Sequence, residues 1–271
     1  MCDVCVMNAV KDRMLSRRDL LRGGAAAGVA GAAGLAAVPA VADAHGSVFD
    51  MTHTYGPDFP TFFGEPGIAL EQAFNFEENG FNLFNLTINE HTGTHIDAPL
   101  HFSEDGKSVD EIEVGNLVVP LCVIDIREKA DADPDAQVTP DDLAAWIEVN
   151  GDIPDRSCVA MLSGWGDKVA EPAYRGADDA GGLHFPGFHP EATAMLLEQT
   201  SAAAMAVDTL SLDHGPSQDF ATHYAWLPAG RYGIENLAGL EQMPPAGATL
   251  IVGAPKHAGG TGGPARILAM A

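Results

Sequence analysis

The sequence predicts a mixed α/β fold on three observations: apolar runs of strand length recur between turns, helix-start signals stand between them, and one further stretch alternates apolar and polar residues. With 271 residues, 46% hydrophobic and 19% charged, the chain is long enough to bury a full core. No internal repeat or long linker divides it, so a single domain is expected once an N-terminal segment is set aside.

That segment covers residues 1–44. Its basic cluster, Ser16-Arg17-Arg18-Asp19-Leu20-Leu21-Arg22, precedes a charge-free Ala/Gly run over 23–42, and the small-residue exits Ala40-Val41-Ala42 and Ala42-Asp43-Ala44 follow. The arrangement resembles a twin-arginine export signal. Gly23, Gly24, Gly28, Gly31, Gly34 and Pro39 make the span too weakly apolar for a good bilayer anchor. A mature domain over 45–271, periplasmic or extracellular, is therefore expected, with the twin-arginine machinery as its export partner and no stable membrane insertion.

Charge narrows the partners. The chain has 14 Lys and Arg against 38 Asp and Glu, a formal net charge of −24. Such a field repels nucleic acid and anionic lipid, which leaves a small molecule as the expected ligand. Cys2 and Cys5 fall in the segment to be removed, whereas Cys122 and Cys158 sit in apolar runs where buried free thiols are expected.

Along the mature chain, the stretch 82–89 alternates, with Phe84, Leu86 and Ile88 apolar and Asn85, Thr87 and Asn89 polar. It reads as a strand with one buried face that delivers His91 at its end. Strand-length apolar runs follow at 118–126, 158–162, 203–207 and 249–253. Thr139-Pro140-Asp141-Asp142 opens a helix that Gly151 ends, and Pro190 and Glu191 open another running to about 200, with Leu196 and Leu197 available to face a sheet.

The chemistry concentrates in His91-Thr92-Gly93-Thr94-His95-Ile96-Asp97-Ala98-Pro99-Leu100-His101. Gly93, three β-branched residues and Pro99 disfavour a helix, so a turn followed by a short strand is expected. His95 and Asp97 then project to one side while Ile96 points to the core, because extended side chains repeat every two residues. The Gly93 turn folds His91 back toward them, and Pro99 redirects the chain so that His101 approaches the same point. Imidazoles with a carboxylate form a ligand set for Zn²⁺, Mn²⁺ or Fe²⁺, and the lack of Cys ligands argues against a closed structural zinc site. An open position admits a water whose pKa falls from about 15.7 toward about 7. Ser163-Gly164-Trp165-Gly166 lacks a G-x-S-x-G elbow and reads as a turn. His45, His53, His184, His189, His214 and His257 read by default as solvated.

Residues 91–102 resemble the H-x-G-T-H-x-D-x-P-x-H-F signature of the cyclase family, metal-dependent hydrolases that include kynurenine formamidases and isatin hydrolases. Asp50-Met51-Thr52-His53, Phe185-Pro186-Gly187-Phe188, Val207-Asp208-Thr209-Leu210-Ser211-Leu212-Asp213 and Gly233-Ile234-Glu235-Asn236-Leu237 extend the resemblance. It implies a swivelling β/β/α domain, usually a homodimer or homotetramer, holding one or two divalent ions, Zn or Mn. By the same resemblance His91, His95 and Asp97 ligate a first ion, Asp97 and Glu235 are shared with a second that His223 also binds, and His101 transfers the proton. The implied reaction is attack of an activated water on an arylformamide or cyclic amide (lactam) C–N bond. Where formamidases carry a Trp against the substrate ring, this chain offers Phe59 and Phe62, with Phe63 beside them. Two alternatives stay open. One is a non-haem Fe(II) oxygenase built on His95 and Asp97, which requires a jelly roll of many short strands. The other is an exported metal- or ligand-binding module without catalysis, which has no use for His101.

Overall fold

The computed structural model describes residues 46–271; the expected export segment over 1–44, with Arg17, Arg18, Cys2 and Cys5, lies outside them. In chain order the strands are β1 (Val48–Asp50), β2 (Ile68–Phe74), β3 (Leu83–Ile88), β4 (His95–Asp97), β5 (Val118–Asp125), β6 (Gln137–Val138), β7 (Cys158–Leu162), β8 (Gly187–Phe188), β9 (Ala204–Val207), β10 (Tyr232–Glu235), β11 (Ala248–Gly253), β12 (Gly262–Pro264) and β13 (Arg266–Met270). The α-helices are α1 (Phe76–Asn79), α2 (Arg127–Ala132), α3 (Pro140–Asn150), α4 (Pro190–Gln199) and α5 (Ala221–Trp226).

Nine strands form one sheet in the order β1-β13-β11-β5-β7-β9-β10-β4-β12. Its centre, β5-β7-β9-β10, is parallel, and the flanking pairs are antiparallel. Strands β5, β7 and β9 coincide with the apolar runs because a parallel sheet covered on both faces needs apolar residues at successive positions. Cys122, Val159, Met205 and Val207 face the helices, where they meet Leu143 and Trp146 of α3, Leu196 of α4 and Trp226 of α5. Leu121, Val123, Cys158, Ala160 and Ala206 face a second core that Ile96, Ile234, Leu250 and Ile267 share, so the curled sheet closes over its own inner face. Cys122 and Cys158 are buried free thiols, and they point to opposite sides of the sheet.

The helix ends follow from local chemistry. The Asp142 carboxylate accepts from the Thr139 N–H and hydroxyl, each at 2.7 Å, Pro140 occupies the first turn, and Gly151 ends α3 at φ 86°. In α4, Leu196 is fully buried while Leu197 packs only at the core's edge. No helix of the described residues is long and apolar enough to cross a membrane. The antiparallel jelly roll that an Fe(II) oxygenase requires is also not the architecture here.

One expectation needs correction. Strand β3 pairs only with β2, in a hairpin apart from the main sheet, and its apolar face is not buried. Ile88 lies opposite Ile68, Leu86 opposite Leu70 and Phe84 opposite Gln72 on one face, yet Phe84 is 48% and Leu86 53% exposed. Alternation predicted the amphipathic strand correctly, but burial needs a second layer, and nothing among the described residues lies over this face.

Candidate metal centre and active site

Strand β4 sits between β10 and β12 at one end of the sheet. In its register with β10, His95 lies opposite Glu235, Ile96 opposite Ile234, and Asp97 opposite Gly233. Period-two alternation then puts His95, Asp97 and Glu235 on one face, with both isoleucines in the core. Gly233 leaves room for the carboxylate opposite, since a Cβ there would stand 3.1 Å from Asp97 Oδ2 and 2.9 Å from Leu212. Gly93, at φ 65°, turns the chain so that His91 Nδ1 reaches 2.7 Å from Asp97 Oδ1. Pro99 opens a 3₁₀ turn, Pro99–Phe102, that carries His101 onto the His91 ring.

His223 arrives from α5. The Asp213 carboxylate accepts from the backbone N–H groups of Thr222 and His223 in the first turn of this helix, at 2.8 and 3.2 Å, and sits 2.6 Å from His223 Nδ1. The opposite nitrogen, Nε2, faces inward, 3.1 Å from Glu235 Oε1 and 3.8 Å from Asp97 Oδ2. His95 Nε2 lies 3.4 Å from Asp97 Oδ1 and 3.3 Å from Glu235 Oε2.

The donor set fits a divalent ion. His95 Nδ1 must donate to the Gly93 carbonyl at 2.9 Å, and His223 Nδ1 to the Asp213 carboxylate, so each Nε2 faces the carboxylates and is the atom whose proton an ion would replace. His95 Nε2 and Asp97 Oδ2 are buried without a hydrogen-bond partner. Two groups of ligand atoms close enough to share an ion result, His91 with Asp97 and His101, and His95 with Asp97 and Glu235. Asp97 turns one oxygen to His91 and His95 and the other to His223, so it can bridge two ions.

Electrostatics agree. Burial works against charge on His95, but Asp97 and Glu235 outweigh it and raise its pKa to about 10. Burial likewise opposes charge on His223, yet Asp213, Asp97 and Glu235 raise it well above the ordinary value, and the three imidazoles hold Asp97 well below the carboxylate range against its own burial. The cluster thus draws positive charge, which a divalent ion supplies in place of imidazole protons. His101 behaves differently: burial lowers its pKa to about 4, with only partial compensation from Asp97 and Glu235, so it is neutral at pH 7.

The cluster lies on the floor of a cavity of about 380 Å³ whose walls include Phe62, Phe63, Phe102, Leu210 and Phe220. Phe220 takes φ 49° and ψ 43°, a left-handed conformation unusual for a bulky residue, and its ring packs 5.9 Å from Phe62 and 5.7 Å from Phe102. Of the two phenylalanines expected to meet substrate, only Phe62 lines this cavity. Phe59 is a correction: the turn that bonds its N–H to Gly56 directs the ring inward, between His53 and Tyr174, where it is 8% exposed. Sequence reasoning passed over Phe102, Phe220 and Asp213. Phe102 and Asp213 each end a stretch that carries the family resemblance, whereas Phe220 left no signal.

The family model described as "Putative cyclase" matches residues 49–214. The chain belongs to the cyclase family. It is 31% identical over 242 residues to isatin hydrolase of Roseibium aggregatum, across 82% of this chain and 91% of that protein. Kynurenine formamidase of Salinibacter ruber is 28% identical, over 71% of this chain and 81% of its own. The solved structure of isatin hydrolase A from Labrenzia aggregata bound to benzyl benzoate superposes with a TM-score of 0.77 at 35% identity, covering 83% of this chain and 93% of that one. This cyclase-family chain therefore shares its fold with isatin hydrolases over nearly all the described residues.

Proposed function

We propose that the protein is a metal-dependent hydrolase that opens the C–N bond of a cyclic amide of the isatin type, with arylformamides as secondary substrates. The observation that carries this reading is the convergence of His91, His95, Asp97, His223 and Glu235 beneath an aromatic-walled cavity that also holds a neutral His101. The match spans 91% of the isatin hydrolase of Roseibium aggregatum against 81% of the Salinibacter formamidase, which favours the cyclic amide.

His91, His95 and Asp97 would hold one ion, and Asp97, His223 and Glu235 a second; Zn²⁺ or Mn²⁺ suits these nitrogen and oxygen donors. When bound, such an ion lowers the pKa of water toward neutrality and polarises a carbonyl. The chain's own residues do the rest. Phe62, Phe102 and Phe220 flank a flat ring and exclude water around it. His101 takes the proton released as water adds to the carbonyl carbon and delivers it to the departing nitrogen, which leaves as a free amine, while the carboxylic acid formed loses its own proton to solvent and remains as a carboxylate.

The assay is metal-reconstituted protein against isatin, other lactams, arylformamides and lactones. Isatin ring opening that disappears on chelation and returns with Mn²⁺ or Zn²⁺ is the expected outcome. A protein that binds its ion tightly yet leaves the whole panel intact is a binding module instead.

Export through the twin-arginine route to the periplasm or beyond, after removal of residues 1–44, is part of the same proposal and rests on the Arg17-Arg18 cluster and the run behind it. So is a homodimer or homotetramer, supported by the uncovered apolar face of the β2–β3 hairpin, which a second copy would cover.

A further inference from the structure

His91 differs from the other two imidazoles in what holds its outer nitrogen. Its Nε2 lies 3.0 Å from the Thr261 hydroxyl, which is an ambiguous partner because a hydroxyl can donate or accept. The ambiguity is removed one step further out. The Thr261 hydroxyl lies 2.5 Å from Glu90 Oε2, and the same oxygen accepts the Thr261 N–H at 3.1 Å. A carboxylate only accepts, so the single hydroxyl proton goes to Glu90, and Thr261 must accept from His91 Nε2–H. Nδ1 lies 2.7 Å from Asp97 Oδ1, another atom that only accepts, so Nδ1 is the nitrogen whose proton an ion would replace while Thr261 holds the one on Nε2.

Glu90 is itself held. Its Oε1 lies 2.8 Å from His257 Nε2, and its neighbour His91 is anchored through a backbone N–H that donates to Asn89 Oδ1 at 2.9 Å. The backbone around Thr261 fits this arrangement closely. A Cβ on Gly260 would come within 2.6 Å of Glu90 Oε1 and closer still to His257, and one on Gly262 would stand 3.0 Å from His91 Cε1. The Thr261 carbonyl accepts from Ala98 N–H at 2.8 Å, which ties the segment to the strand that carries His95 and Asp97.

We propose that Thr261 and Glu90, braced by His257, are positioning residues that commit His91 to ligate a divalent ion through Nδ1. The inference rests on the hydrolase reading above and assigns roles to three residues outside the ligand set. Outer partners of this kind fix ring orientation and tautomer, and their loss weakens metal binding by about 10- to 100-fold.

The test uses the full chain with Mn²⁺ or Zn²⁺ as probe, reading the dissociation constant by chelator competition. Thr261→Val keeps the shape and removes the hydroxyl, and is expected to weaken binding by about 10- to 100-fold. Thr261→Ser restores the hydroxyl and is expected to return to within about threefold of wild type, which a purely steric role would not produce. In the zinc-loaded wild type, ¹⁵N NMR of the imidazoles should show His91 ligated at Nδ1 with the proton on Nε2. Ligation through Nε2, or equal affinities for wild type and Thr261→Val, overturns the inference and leaves the hydrolase intact. A misfolded Thr261→Val leaves the decision to Glu90→Gln, expected to weaken binding in the same direction, and to the ligating nitrogen in wild type. A wild-type chain that takes up neither ion overturns both readings together.

Discussion

The imidazole of His101 lies on that of His91, with ring centroids 3.8 Å apart and planes 21° from parallel. The stack fixes His101 at the edge of the ligand cluster while Phe102 and His223 close round it. On the hydrolase reading proposed above, His101 carries a proton and does not hold the ion. Substituting His101→Asn should therefore cost about 10²- to 10⁴-fold in kcat, with metal content by elemental analysis within error of wild type. Parallel loss of the ion and of activity would instead make His101 chiefly a ligand.

The pH profile follows from the same ring. Burial lowers the pKa of His101 to about 4, so the base form persists in mild acid and is lost as pH falls through that value. In protein whose metal content is constant over the range, the acid limb of kcat/KM should lie near pH 4, not near the ordinary histidine value of about 6.5. A limb at the ordinary value would mean that the ring is solvated during turnover.

Phe62 and Phe59 should separate cleanly. Phe62 lines the cavity, so Phe62→Ala is expected to raise KM roughly tenfold, on the scale of a lost aromatic contact, with kcat little changed. Phe59 is core, and Phe59→Ala should instead cost about 3–5 kcal/mol of stability by denaturant titration.

Asp208 offers a stability test away from the reaction. Burial raises its carboxyl to about 6, although the Ser163 and Gly164 N–H groups and the Ser163 hydroxyl donate to it. A raised carboxyl favours the fold while protonated, so its contribution is full below about 3.8 and is lost as pH rises through about 6. Wild type should lose up to about 3 kcal/mol relative to Asp208→Asn between pH 4 and pH 7, measured on metal-free protein. A pH-independent difference would show that the three donors cancel the burial.

The hairpin face gives the oligomer test. Leu70 and Leu86 lie opposite one another on it, 49% and 53% exposed. Leu86→Glu should shift sedimentation of a homo-oligomer toward the monomer, since a charge pressed into an apolar contact costs several kcal/mol. Wild type sedimenting as a monomer would remove the basis for self-association.

What could be read from the chain alone was what neighbouring residues impose on one another. The Thr139 cap with Pro140, the apolar runs of β5, β7 and β9, the Gly93 turn, and the period-two placement of His95 and Asp97 all follow from backbone sterics and solvent exclusion within a few residues. Tertiary structure decided the rest. Sheet order alone sets β10 beside β4, bringing Glu235 opposite His95 from 140 positions away along the chain, and it brings Thr261 to His91 across 170. It also turned Phe59 inward and left β3 with no layer to pack on. Local propensity describes a segment's shape and its faces. Which distant segment meets each face depends on how the whole sheet closes around its core.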